Sequence, residues 1–201
     1  MRRSVAVLLA FAAATGAADE DWQRVAERDG IVIERRGVEG SAVHELRATA
    51  HSPVPPAAIM ATLWRHEEYV QFVPYLKRLD VLREETDTKL FYEQIHVPVA
   101  RDRDATLRAT RSFSAATGIY ELSTRAVPDG GPPATSAYVR VRNSASLWRL
   151  VPAVDGGTEV TYTIRIDVGG LLPAWVVNAI QKDATAKLVR AMLDRARQTT
   201  R

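Results

Sequence analysis

The chain contains no cysteine. That excludes disulfides, thiolate metal centres, a cysteine nucleophile and any lipid anchor attached through a thiol. Histidine is sparse, and His44, His51, His66 and His96 are scattered. The His66-Glu67-Glu68 run lacks the second histidine that a zinc-protease helix needs. There is no Gly-x-Ser-x-Gly elbow and no glycine-rich phosphate loop, so no catalytic residue, metal ligand or cofactor is expected. A strong charge imbalance is missing too. The 27 basic residues face 24 acidic ones, a net charge of +3, and Arg2 and Arg3 supply two of those charges. Such a balanced surface argues against a nucleic-acid partner.

What is present begins with an export pattern. Met1-Arg2-Arg3 is a basic start, residues 5–14 form an uninterrupted apolar run, and Thr15-Gly16-Ala17-Ala18 supplies small residues for cleavage. The run is about half the length of a membrane-spanning helix. Residues 1–18 therefore read as a signal peptide and 19–201 as one exported domain, periplasmic and monomeric by expectation. No repeat, low-complexity tract or long linker interrupts it, and Pro-Asp-Gly-Gly-Pro-Pro at 128–133 reads as a loop.

Residues 21–26, with Trp22 and Val25 apolar, suggest a short opening helix. A hairpin follows: 31–33 is one strand, and in the next Ala42, His44, Leu46, Ala48 and Ala50 share a face. After Pro53 and Pro55-Pro56, the residues Ile59, Met60, Leu63 and Trp64 fall at helical spacing, and 66–75 is a second short helix or compact loop. Period-2 patterning then predicts strands over 79–83, 89–97, 105–113, 118–125, 136–142, 144–151 and 158–167. The chain closes with one helix over 173–197, whose Val176, Ile180, Ala184, Leu188 and Met192 form an i, i+4 stripe. The layout is α+β. An antiparallel sheet with one apolar face needs a cover, and only the last helix is long enough to supply it. A curved sheet wrapped on one helix leaves room for a cavity.

Several stretches then resemble a known family. Asp167-Val168-Gly169-Gly170-Leu171-Leu172-Pro173-Ala174-Trp175-Val176-Val177-Asn178 is similar to the motif that opens the final helix of START (steroidogenic-acute-regulatory-related lipid-transfer) domains, with Val168 where the family has proline. The opening Trp22…Glu27-x-Asp29-Gly30-Ile31-x-Ile33 resembles the family's first strand. The Arg140-Val141…Trp148-x-Leu150-x-Pro152 and 158–162 segments resemble its last hairpin. Its Pro-Val-x-x-Arg-Asp strand opening is matched one residue out of step by Pro98-Val99-Ala100-Arg101-Asp102-Arg103-Asp104. The resemblance implies a helix-grip fold, a curved antiparallel sheet gripping a long C-terminal helix around a tunnel for one lipid or other hydrophobic molecule. The wider superfamily also holds polyketide cyclases and hormone binders, so fold alone does not choose the ligand.

Within that frame Tyr92, Tyr120, Trp148 and Tyr162, each in phase with apolar neighbours, are expected on the concave face, where phenol hydroxyls orient a ligand's polar group. The same phase places Leu107, Leu122, Val139, Leu150 and Ile164 in the ligand-contact set, with Val176 and Ile180 from the helix. Arg111 is in phase with Leu107 and Ala109 and reads either as an inward anchor for a polar headgroup or as a strand end facing water. The 101–104 run is either an anchoring cluster or solvated pairs. Gly169 and Gly170 read as a hinge, and Trp175, beside Leu171, Leu172 and Val176, as a gate that dips into a membrane surface or as a fixed packing residue. The alternative gate is the loop at 115–118. Together these imply a non-enzymatic carrier of a lipid or other hydrophobic molecule with transient membrane contact; a cyclase-like enzyme or a ligand-sensing module uses the same cavity. The mature chain is expected to begin near Asp19 in the exported fraction; an intact mass retaining Met1 on a cytosolic protein overturns that.

Overall fold

The structure is a computed structural model and describes residues 21–98, 100–170 and 172–200; the predicted signal segment lies outside them. The chain order is β1 (Gln23–Arg28), β2 (Ile31–Val38), β3 (Ser41–Ser52), α1 (Pro56–Trp64), a 3-10 helix (His66–Gln71), β4 (Leu76–Glu84), β5 (Thr88–Ile95), β6 (Arg103–Ser114), β7 (Ile119–Ala126), β8 (Val139–Arg140), β9 (Asn143–Pro152), β10 (Thr158–Asp167) and α2 (Ala174–Thr199). The strands run β1-β2-β3-β10-β9-β7-β6-β5-β4 in one curved antiparallel sheet, and β8 pairs with β6 in parallel.

Two predicted elements are corrected. Residues 21–26 are not helical. Asp29 (φ 52°) and Gly30 (φ 74°) make a tight turn that folds β1 back onto β2, and the Trp22 ring lies beneath the Arg36 and Arg47 guanidiniums, 4.7 Å from each. The strand expected over 136–142 shrinks to Val139–Arg140, a two-residue parallel ladder to β6 that the Arg140 side chain reinforces through Asp104. The out-of-step strand opening also settles: β6 starts at Arg103, so Arg103 and Asp104 enter the sheet while Arg101 stays exposed.

The concave face is filled unevenly. Ile59, Met60 and Leu63 of α1 share one buried core with Ala109, Leu150, Val160 and the C-terminal half of α2, from Val189 to Ala196. At about 1.5 Å per residue, the 26 residues of α2 reach roughly 39 Å, well past α1. Its N-terminal half is tied at the rim by Asn178, whose Oδ1 accepts the His44 amide at 3.1 Å and whose Nδ2 donates to the Ala42 carbonyl at 3.2 Å.

On the outer face of β5 and β6, the 127–142 segment covers a buried network. Arg140 donates from Nε and Nη2 to the two Asp104 oxygens, both at 2.9 Å, and Tyr92 donates to Asp104 at 3.0 Å. Burial works against the charged Asp104 carboxylate, but the bonds from Arg140 and Tyr92 outweigh it and hold its pKa below the usual range. The remaining Arg140 donors reach the Pro128 and Pro132 carbonyls at 2.9 Å, tying down the predicted loop. Removing one partner of a buried pair leaves the other charge uncompensated. Arg140→Met is therefore expected to destabilise the fold by about 3–5 kcal/mol, and Tyr92→Phe by about 1 kcal/mol, both read by chemical denaturation. Equal and small effects would show that the pair is not holding the segment.

Candidate functional site

Between the N-terminal half of α2 and the uncovered part of the concave face lies a cavity of about 250 Å³. Its wall is built by phase. Phe91, Glu93 and Ile95 of β5 face it, as do Ser144, Ser146 and Trp148 of β9 and Tyr162, Ile164 and Ile166 of β10. Ile180, Gln181, Ala184, Thr185 and Leu188 supply the roof, and Met192 closes it. Val73 to Leu76, after the 3-10 helix, form one end.

Of the residues singled out in the sequence, Leu107, Leu122, Trp148, Tyr162, Ile164 and Ile180 line this space. Trp148 and Tyr162 stack with centroids 4.4 Å apart. Six others do not. Tyr92 points to the outer face and belongs to the Asp104 network, since Phe91 and Glu93 take the inward positions of β5. Tyr120 and Leu150 are on the concave side but at the end filled by α1; Tyr120 packs on Phe113 at 4.4 Å, and Leu150 is fully buried. Arg111 lies further along the same face, stacked over the Trp64 ring at 4.3 Å and bonded to Asp87 at 3.0 Å, so it anchors nothing in the cavity. Val139 sits behind Gly169, and Val176 lies one turn short of the roof. Strand phase predicts a face; it does not say where along that face a helix stops filling it.

The 101–104 run divides. Asp102 is a surface group, bonded to Lys77 and His96 at 2.9 Å. Its carboxyl is held down at about 2, chiefly by the Lys77 bond. Arg103 and Asp104 are both 2% exposed, which overturns the solvated reading for these two. Arg103 lines the cavity, and its guanidinium donates to the carbonyls of Arg101, Val168 and Gly169, the latter two at 3.2 Å. It thus holds the chain just before α2. Gly169 and Gly170 have φ of 60° and 80°, the left-handed region that glycine tolerates. Trp175 is 75% exposed, so it does not pack on the sheet; Leu171 lies outside the described residues.

Sequence reasoning missed Glu93, Gln181 and His66. The available signal was Phe91-x-Glu93-x-Ile95, a carboxylate at an inward position between apolar ones. Burial alone pushes the Glu93 carboxyl up to about 7. His66 stacks between Tyr69 and Phe91, at centroid distances of 5.0 and 4.6 Å, and burial lowers its pKa to about 4, so the ring is neutral. Desolvation likewise raises the Tyr69 and Tyr162 phenols. The site offers shape, a largely apolar wall, the Arg103 guanidinium and a few further polar groups.

Comparison with known proteins agrees with this geometry. The START domain family model matches residues 3–201. An uncharacterized protein of Pseudomonas aeruginosa is 25% identical over 193 residues, covering 96% of this chain and 95% of the relative. The STAR-related lipid transfer protein (fragment 25-204) from Xanthomonas axonopodis has a similar structure, with TM-score 0.81, 24% identity and coverage of 89% of this chain and 99% of that one. The Zhui aromatase/cyclase from Streptomyces sp. R1128 is more distant, with TM-score 0.57, 14% identity and coverage of 78% and 95%.

The Glu93 shift carries a pH signature. Its folded pKa, about 7, is above the unfolded 4.5, so the folded chain keeps a proton that the unfolded chain releases. The contribution is complete below 4.5 and is lost as pH rises through 7. His66 acts oppositely: its contribution is present above 6.5 and is lost as pH falls towards 4. Glu93→Gln should remove the alkaline loss, gaining on the order of 3 kcal/mol relative to wild type between pH 4.5 and 8. Parallel stability–pH curves for the two proteins would show that Glu93 is ionised in the fold.

Proposed function

The chain belongs to the START domain family, and from that premise we propose that it binds and carries one hydrophobic small molecule in its cavity without converting it. The observation that carries this reading is the partly filled concave face. A packed core tolerates few voids larger than a water, yet α2 roofs about 250 Å³ lined by Leu107, Leu122, Ile164, Ile180 and Leu188. That volume lies just under the roughly 300–1,000 Å³ of pockets for drug-sized ligands, which favours a compact guest over a two-chain phospholipid.

Delivery is proposed to occur in an exported, periplasmic setting, which the 1–18 pattern supports, with the start of α2 as the gate. Its first turn has no side-chain cap and no acidic residue, and exposed Trp175 stands beside it, a residue favoured at membrane boundaries. Arg103 holds that gate shut through the Val168 and Gly169 carbonyls. An alanine at Gly169 or Gly170 would strain a left-handed backbone, so opening is better tested at Arg103 than by stiffening the glycines.

A second reading, a cyclase-like enzyme, has one observation in its favour: Glu93, a carboxyl shifted towards neutrality, opens on the same space as Tyr162. Steady conversion of a bound compound by the purified protein, abolished by Glu93→Gln, would select it. The carrier reading expects a co-purified apolar molecule in native mass spectra. It also expects Ala184→Trp, which fills the roof of the cavity, to eliminate binding while the protein stays folded by circular dichroism. Undiminished binding in that variant would move the ligand elsewhere.

A further inference from the structure

Arg103 is the sole lysine or arginine on the cavity wall among the described residues, and it is 2% exposed. It forms no ion pair with a described carboxylate; its bonds go to backbone carbonyls alone. Burial works against its charge, Arg101 adds to the penalty, and Asp102 offsets part of it. Asp102, however, is a surface group whose two oxygens are bonded to Lys77 and His96. A guanidinium stays charged, and a buried charge without a counter-charge is costly.

Its hydrogen bonds are also incomplete. A guanidinium has five N–H groups. Nε donates to the Val168 carbonyl, Nη1 to Arg101 and Nη2 to Gly169. Nε has no second hydrogen, so the two left over are one on Nη1 and one on Nη2. Those are the terminal nitrogens with which an arginine grips both oxygens of a carboxylate.

The position suits a head rather than a tail. Arg103 pairs with Ile95 at the start of β6, beside the chain that leads into α2. Leu107 is four residues further along β6, about 13 Å at the rise of a strand, and with Leu122 and Met192 it lines the deeper part of the cavity. Resting on the carrier reading above, we infer that the guest is a single-chain carboxylic acid of the fatty-acid type, its carboxylate held by Arg103 and its tail running beneath α2 toward Leu107. One negative charge balances the one unpaired cation. A phosphomonoester would bring nearly two into a space that also holds Glu93. An anion in that space favours the protonated form of Glu93, whose pKa already stands at about 7.

The test is calorimetric titration of four ten-carbon compounds into the full chain at neutral pH: decanoate, methyl decanoate, 1-decanol and decylamine. Decanoate should bind at least fivefold more tightly than each of the others, although it is more soluble in water than the ester or the alcohol. A smaller margin over any of them would overturn the inference and leave the carrier reading standing. Binding of none of the four would overturn the carrier reading with it. Arg103→Met should cost decanoate at least tenfold in affinity and leave methyl decanoate within twofold. If Arg103 served only to latch the start of α2, both would weaken alike, and that result would overturn the assignment. The wild-type chain gives a readout that needs no variant. With decanoate carrying carbon-13 in its carboxyl, the bound signal should titrate at lower pH than that of free decanoate, because an adjacent cation lowers a carboxyl pKa whereas burial alone raises it. A bound carboxyl that titrates at higher pH than the free acid would place the head away from Arg103 and overturn the inference.

Discussion

Val189, Met192, Leu193 and Ala196 press the last turns of α2 into the core they share with Ile59 and Leu63 of α1, and that contact sets the height of the whole helix above the sheet. Where α1 lies beneath it, the space is full. Beyond α1 the helix continues at the same height over strands whose side chains do not reach it, and the cavity is the difference. A helix is a stiff rod held here by one well-packed end, so the other end bridges a gap that it cannot sag to fill. Asn178, bonded to the backbone of β3, fixes that free end sideways without closing it downward.

The polar chemistry of the molecule is separated by the sheet. On the outer face of β5 and β6, Asp104, Arg140 and Tyr92 satisfy one another and hold the 127–142 segment in place. On the inner face, one residue away in sequence, Arg103 is turned to the start of α2 and Glu93 looks into the cavity. The alternation of a β-strand is what allows a hydrogen-bonded structural network and the cavity wall to share neighbouring residues. Stability and recognition therefore draw on different side chains.

Much of the scaffold was legible because it follows local periodicity. The strands around Phe91, Leu107, Leu122 and Ile164 alternate cleanly, and Ile180, Ala184, Leu188 and Met192 repeat every fourth residue along α2; all line the cavity. The failures have physical causes. Trp22 and Val25 mimic a helix because three-residue spacing is ambiguous in six residues, and only pairing with β2 decides. Tyr120, Leu150 and Arg111 have the right phase but lie at the end that α1 occupies, which no strand can announce.

By itself the sequence determined most element types, the inward face of most strands, the covering helix and the resemblance to START domains, because these are set by neighbours within a few residues and by contiguous motifs. Only the tertiary structure decided where the cavity begins, which of two adjacent charged pairs is buried, and which carboxyl opens on the cavity. Arg101-Asp102 and Arg103-Asp104 read alike as text. They differ because one pair precedes the sheet and the other is folded into it, between a helix on one side and a covering loop on the other.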